Sequence, residues 1–189
     1  MSIILRIINS TFSSCAASED GGSLRVMKGA TVTMSDSAIQ GSSSLGSGGA
    51  VAIVGANGTI ATSTIVGCSA KNGGAFWVSE FVAYPLVSSK SHFQADDISF
   101  LANKADEAGG ALAVTTASLA TVTRCDFLGN SAASCGGAVI AVDAAARISS
   151  SRFIGNLAFG LGGGALRVSA ARVELVLNTL TGNAAPNGG

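Results

Sequence analysis

The residues best equipped for chemistry sit close together in an otherwise lightly charged chain. Asp96 and Asp97 are adjacent, Arg124 and Asp126 follow about one repeat later, and His92, the single histidine, stands just before them. Carboxylates in such company do two kinds of work on saccharides. They hold calcium beside an arginine base, or they act as an acid/base pair across a glycosidic bond. The competing reading is mutual neutralisation, Asp97 with Arg124 and Asp126 with Arg152, each pair one repeat apart. Exposed pairs of that kind contribute about 0 to 1 kcal/mol each. One-to-one pairing quiets charges rather than activating them, so no residue is assigned a catalytic role. Asp96, Asp97, Arg124 and Asp126 are the candidates only under the alternative, enzymatic reading.

Other reactive constellations are missing. No GxSxG, HExxH, GxxxxGK[ST] or EF-hand pattern occurs, and a serine triad would have His92 as its sole base. Cys15, Cys68, Cys125 and Cys135 lack CxxC spacing, which argues against zinc. Four thiols pair in three ways that sequence does not separate, and the simpler reading is that they are small buried hydrophobes. No metal and no cofactor is assigned.

What positions the charged residues is a repeat. A Gly-Gly pair followed by a small and then a large apolar residue recurs at Gly21, Gly48, Gly73, Gly109, Gly136 and Gly163, and a last pair begins at Gly188; the steps are 27, 25, 36, 27, 27 and 25 residues. A second motif, a large apolar residue with Asn or a small substitute three positions on, starts at Phe12, Ile39, Ile65, Phe100, Phe127, Phe153 and Leu180, with steps of 27, 26, 35, 27, 26 and 27. Two motifs that share one period, including the same long step, specify a solenoid.

Aligned on that apolar anchor, the residues five and seven positions earlier are apolar in most copies, and the one between them is polar: Arg6, Thr33, Thr59, Gln94, Thr121, Arg147 and Glu174. Alternation at period two is a strand with one buried face, and it returns after each Gly pair, as in Val51/Ile53 and Leu112/Val114. The expected fold is all-β: a right-handed parallel β-helix of about seven coils of 25–27 residues, spanning 1–189 as one domain. In it Phe100, Phe127 and Phe153 stack in the core, and Asn103, Asn130, Asn156 and Asn183 form a structural ladder along a turn. Cys15 and Cys68 fall in that same column two coils apart, roughly 9.6 Å at the inter-strand spacing and too far to bridge. The chain opens and closes in mid-repeat, as expected for a segment of a longer array whose ends stack against flanking coils or a capping domain.

The long step places an insertion at 79–92, with Tyr84, Lys90 and His92 as candidate binding residues, since loops on one face of a solenoid are often its binding face. Right-handed β-helices also host pectate-lyase-like and polygalacturonase-like enzymes, which gives the charged cluster its alternative role. A second alternative, ice binding, draws on Thr33, Thr59 and Thr121, but Gln94, Arg147 and Glu174 interrupt that array.

Eleven basic and eleven acidic residues cancel without a Lys/Arg cluster, which disfavours a nucleic-acid partner. No apolar run reaches the roughly 18 residues of a membrane span. Ser, Thr and Ala dominate the outward positions, and such a wall suits weak repeated contacts with a glycan or a host or matrix protein.

The tandem GGA[ILV] and FxxN motifs resemble the chlamydial polymorphic outer-membrane protein repeat. The clearest copies are Phe100–Asn103 with Gly109–Leu112, Phe127–Asn130 with Gly136–Val139, and Phe153–Asn156 with Gly163–Leu166. The resemblance implies an autotransporter-like β-helical passenger, outer-membrane-associated or secreted, that serves in adhesion or as a surface scaffold. It supplies no catalytic residues. The first three copies depart from it, with Cys15, Ser42 and Cys68 in place of Asn.

Overall fold

Among the described residues every regular element is a strand, and nearly all of them pair in parallel with the equivalent strand one repeat away. The computed structural model describes residues 3–83 and 87–188. The chain coils into a β-solenoid with three faces. The longest face stacks Ile3–Ile8, Ala30–Ser35, Asn57–Val66, His92–Leu101, Leu119–Thr123, Ala145–Ser149 and Arg172–Val176 in that order. The second runs from Ala16–Ala17 to Leu157–Ala158 and the third from Leu24–Met27 to Leu166–Ser169, each with six strands.

Register follows the repeat residue for residue. Phe12 pairs with Ile39, Ile39 with Ile65, Ile65 with Phe100, and the column continues through Phe127 and Phe153 to Leu180. Residues that alternate along each strand therefore become continuous columns, one facing in and one facing out. The inward columns form a single core that includes Val32, Met34, Ile60, Val122 and Ile148 on the long face and Val51, Phe76, Leu112 and Val139 on the third face. A small second cluster, Ala113, Cys135 and Ile140 with Trp77 against it, covers part of the third face from outside.

The Gly pair earns its place through two different constraints. The first glycine of each pair adopts positive φ, from +59° to +75° across the seven copies. The second glycine of the first six pairs has ordinary φ, but a Cβ on it would lie 2.2 Å from the carbonyl oxygen of Gly164 at Gly137, and 2.0 Å from that of Gly137 at Gly110. Neighbouring coils touch backbone to backbone here, and only hydrogen fits between them.

Each coil turns a corner three residues before the anchor, and seven non-glycine residues do so at positive φ: Asn9, Asp36, Thr62, Asp97, Arg124, Ser150 and Leu177. The left-handed region costs most residues roughly 1 kcal/mol or more. The coil stacked above offsets it by taking the corner amide: Asn9, Arg124 and Ser150 donate to the carbonyls of Ser35, Ser149 and Val176 at 3.2, 3.1 and 2.9 Å.

Candidate functional site

Two ladders of side-chain hydrogen bonds hold the coils in register beside the charged cluster. In the asparagine ladder, the Asn103 backbone N–H and Nδ2 both donate to Asn130 Oδ1 at 3.0 Å. The Asn130 backbone N–H and Nδ2 repeat this on Asn156 Oδ1, and those of Asn156 repeat it on Asn183 Oδ1. Each Nδ2 also donates back to an anchor carbonyl, that of Ile65, Phe100, Phe127 or Phe153. Asn103, Asn130 and Asn156 are fully buried. All their hydrogen-bonding capacity points along the stack, so the ladder is structural. It begins where Cys68 donates its N–H to Asn103 Oδ1.

The second ladder runs two positions before the anchor and escaped the sequence reading. The backbone N–H groups of Ser10 and Ser37 donate to Ser37 Oγ and Ser63 Oγ, and those of Cys125 and Ser151 donate to Ser151 Oγ and Asn178 Oδ1. A small polar residue at this offset in most coils was the available signal. Ile98 and Cys125 break it, which disguised the column as ordinary core. Burial is the largest influence on Cys125, pushing its thiol up to about 12, and its Sγ donates to the Thr123 carbonyl at 3.2 Å. Burial likewise raises Cys68 to about 11. All four cysteines are free, and only Cys15 is partly exposed.

The expected charge pairs form with one correction. Arg152 forks onto Asp126, with Nε donating to Oδ1 at 2.6 Å and Nη2 to Oδ2 at 2.5 Å. These bonds hold the guanidinium still more firmly protonated than usual. Arg124, by contrast, pairs with Asp96 rather than Asp97, through Nη2 to Oδ2 at 2.5 Å. Asp97 and Arg124 do occupy matching corners, with φ of 54° and 52°. The long Arg side chain spans more than one position, so register selects the coil it meets but not the residue within it. Asp96 Oδ1 is covered and accepts no hydrogen bond. Among the described residues, no three His, Cys, Asp or Glu side chains converge as a metal site would require.

The insertion is not an open loop. Phe81–Ala83 and Val87–Ser89 form an antiparallel hairpin. It leans over the second coil, where Ser89 Oγ donates to the Gly55 carbonyl at 3.1 Å, and a Cβ on Gly55 would meet Phe81 Cβ at 2.4 Å. Lys28 Nζ lies 5.6 Å from the Phe81 ring centroid. Ser91 is fully buried at the hairpin's base and donates to the Ser79 carbonyl at 2.5 Å. Of the three candidate binding residues, Tyr84 lies outside the described residues. His92 is not in a loop, since it opens the strand His92–Leu101 in register with Asn57 and Leu119. Lys90 and His92 meet at a shallow groove of about 630 Å³ along the coils that follow the hairpin, and that groove also takes in Asp143 and Arg172. Sequence reading missed the last two because nothing in either repeat motif marks them.

The chain matches no protein-family model, no curated protein and no solved structure. No helix is long and apolar enough to cross a membrane among the described residues, a statement that does not bear on β-barrels.

Proposed function

We propose that this chain is a non-catalytic β-solenoid segment of a surface-displayed or secreted protein, acting in adhesion or as a scaffold. One observation carries the reading: in the only cluster of carboxylates beside arginines that the sequence singled out, Asp96 is paired with Arg124 and Asp126 with Arg152. Both carboxylates are engaged by guanidinium hydrogen bonds rather than turned to a ligand, and the asparagines nearby are consumed by the ladder. The resemblance to the chlamydial polymorphic outer-membrane repeat supports an autotransporter-like passenger, with glycans or host or matrix proteins as partners and further coils or a capping domain at its ends.

A second reading, a pectate-lyase-like or polygalacturonase-like enzyme, draws on Asp96 Oδ1, a covered carboxylate oxygen that accepts no hydrogen bond. Incubation with polyuronate, with and without calcium, separates the two. The scaffold reading expects no new unsaturated or reducing ends. Turnover that disappears in Asp96→Asn and Arg124→Ala overturns it.

A further inference from the structure

The groove beside the hairpin has a chemistry that the scaffold does not use. We propose that it binds an acidic polysaccharide, one bearing carboxylate or sulfate groups, laid along the stack of coils; this names a ligand class for the adhesive reading and rests on it. Among the described residues six basic side chains elsewhere lie within 4.0 Å of a carboxylate, and Arg6, Lys28 and Arg167, which do not, line no part of this groove. Lys90, His92 and Arg172 have no such partner among the described residues, and all three line this one groove. In a protein whose formal charges cancel, this is a local excess of donors looking outward.

Geometry favours a chain-like ligand. His92, Leu119, Ala145 and Arg172 occupy one column in successive coils. Three steps at the inter-strand spacing set His92 and Arg172 roughly 14 Å apart, a span for several sugar rings rather than one small ion. Between them the floor is Leu119, exposed despite its side chain, and Ala145. A small apolar floor accepts the C–H face of a sugar ring, while Lys90 and Arg172 take its acidic groups, and Arg172 has the fork geometry for a carboxylate. Ser89, at the end of the hairpin, is tied to Gly55, and the next residue, Lys90, reaches the edge of the groove beside His92. Asp143 also faces the groove and opposes an anion. Its carboxylate limits affinity, which provides a test of opposite sign.

Titration of the protein with a de-esterified oligogalacturonide, a dextran sulfate oligomer and the fully methyl-esterified oligogalacturonide tests the proposal. The two acidic oligomers bind, the neutral ester does not, and binding weakens as salt is raised. Lys90→Ala and Arg172→Ala each weaken binding about threefold to fivefold, and Asp143→Asn strengthens it by a similar factor. Circular dichroism checks that each variant keeps the parent fold, which these exposed positions should allow. Equal binding of the neutral ester, no binding of either acidic oligomer, or unchanged affinity in Lys90→Ala and Arg172→Ala overturns the groove. Beads coated with the protein separate this from the broader reading. If they adhere to matrix-protein or glycan surfaces irrespective of the three substitutions, the groove alone fails; if they adhere to none, the adhesive reading fails as well.

Discussion

Phe127 lies flat on Phe153, the ring centroids 4.6 Å apart and the planes 6° from parallel, and Phe100 continues the stack at 4.8 Å and 8°. The separation is the inter-strand spacing itself. The rings are held face to face by backbone pairing, although isolated aromatic pairs favour offset or edge-on contact. Phe76 shows the other geometry, edge-on to Phe100 at 85° from the neighbouring face, where no ladder dictates orientation. The period in the sequence is thus converted directly into contact between residues some 26 positions apart.

The asparagine ladder is expected to be intolerant at its centre. Asn130→Ala strips an acceptor from two donors of Asn103 and a donor from the Phe100 carbonyl, all fully buried. The expected loss is about 2–4 kcal/mol. Asn183→Ala, at the less buried end, costs about 1 kcal/mol. Denaturant unfolding measures both, and equal losses at the two positions would contradict the ladder account.

Two glycines of similar appearance in sequence should respond differently. At Gly137 a Cβ meets the Gly164 carbonyl oxygen at 2.2 Å and Leu157 backbone within 2.7 Å, so the coils must separate. Gly137→Ala should cost about 3 kcal/mol or more, on the scale of severe core strain. Gly129, unlike Gly137, has positive φ, +60°, but open space around it, and Gly129→Ala costs about 1 kcal/mol from backbone conformation alone. Thermal unfolding of the two variants orders them.

The ion pair of Arg124 has an assigned partner. A double-mutant cycle between Arg124→Ala and Asp96→Asn should yield a small favourable coupling, about 0.2–1 kcal/mol, that fades in high salt. The same cycle with Asp97→Asn should give none. Coupling to Asp97 in place of Asp96 would restore the pairing expected from sequence.

Buried thiols give stability a sign at high pH. The folded chain holds Cys68 and Cys125 neutral up to about 11 and about 12, above the ordinary 9.0. Their contribution is fully present below pH 9 and is lost as pH rises through those folded values. Cys125→Ser removes one of these groups and places a hydroxyl in the serine column above Ile98. Its unfolding midpoint should fall less steeply between pH 9 and 12 than that of the parent. Parallel pH profiles would show that Cys125 does not carry the effect.

The solenoid was legible because its constraints are periodic. Gly pairs, anchors and two-residue alternation recur at one spacing, and stacking requires each of them in every coil. The charged cluster was legible only in outline. Asp126 and Arg152 meet as register predicts, whereas Arg124 chooses Asp96, since side-chain reach is not a property of register. The serine ladder stayed hidden because Ile98 and Cys125 interrupt it, and a hydrogen-bonded column with two gaps looks like a core column with small residues.

By itself, the sequence determined the coil length, the inward and outward columns, the stacked phenylalanines, the asparagine ladder and the position of the insertion. These follow from backbone pairing between equivalent residues, which is the same in every coil. Only the tertiary structure decided that the insertion folds into a hairpin leaning over the second coil, that His92 belongs to a strand, and that Lys90, His92, Asp143 and Arg172 share a groove. Those outcomes depend on how non-repeating side chains pack against one another across several coils, and no single period encodes that packing.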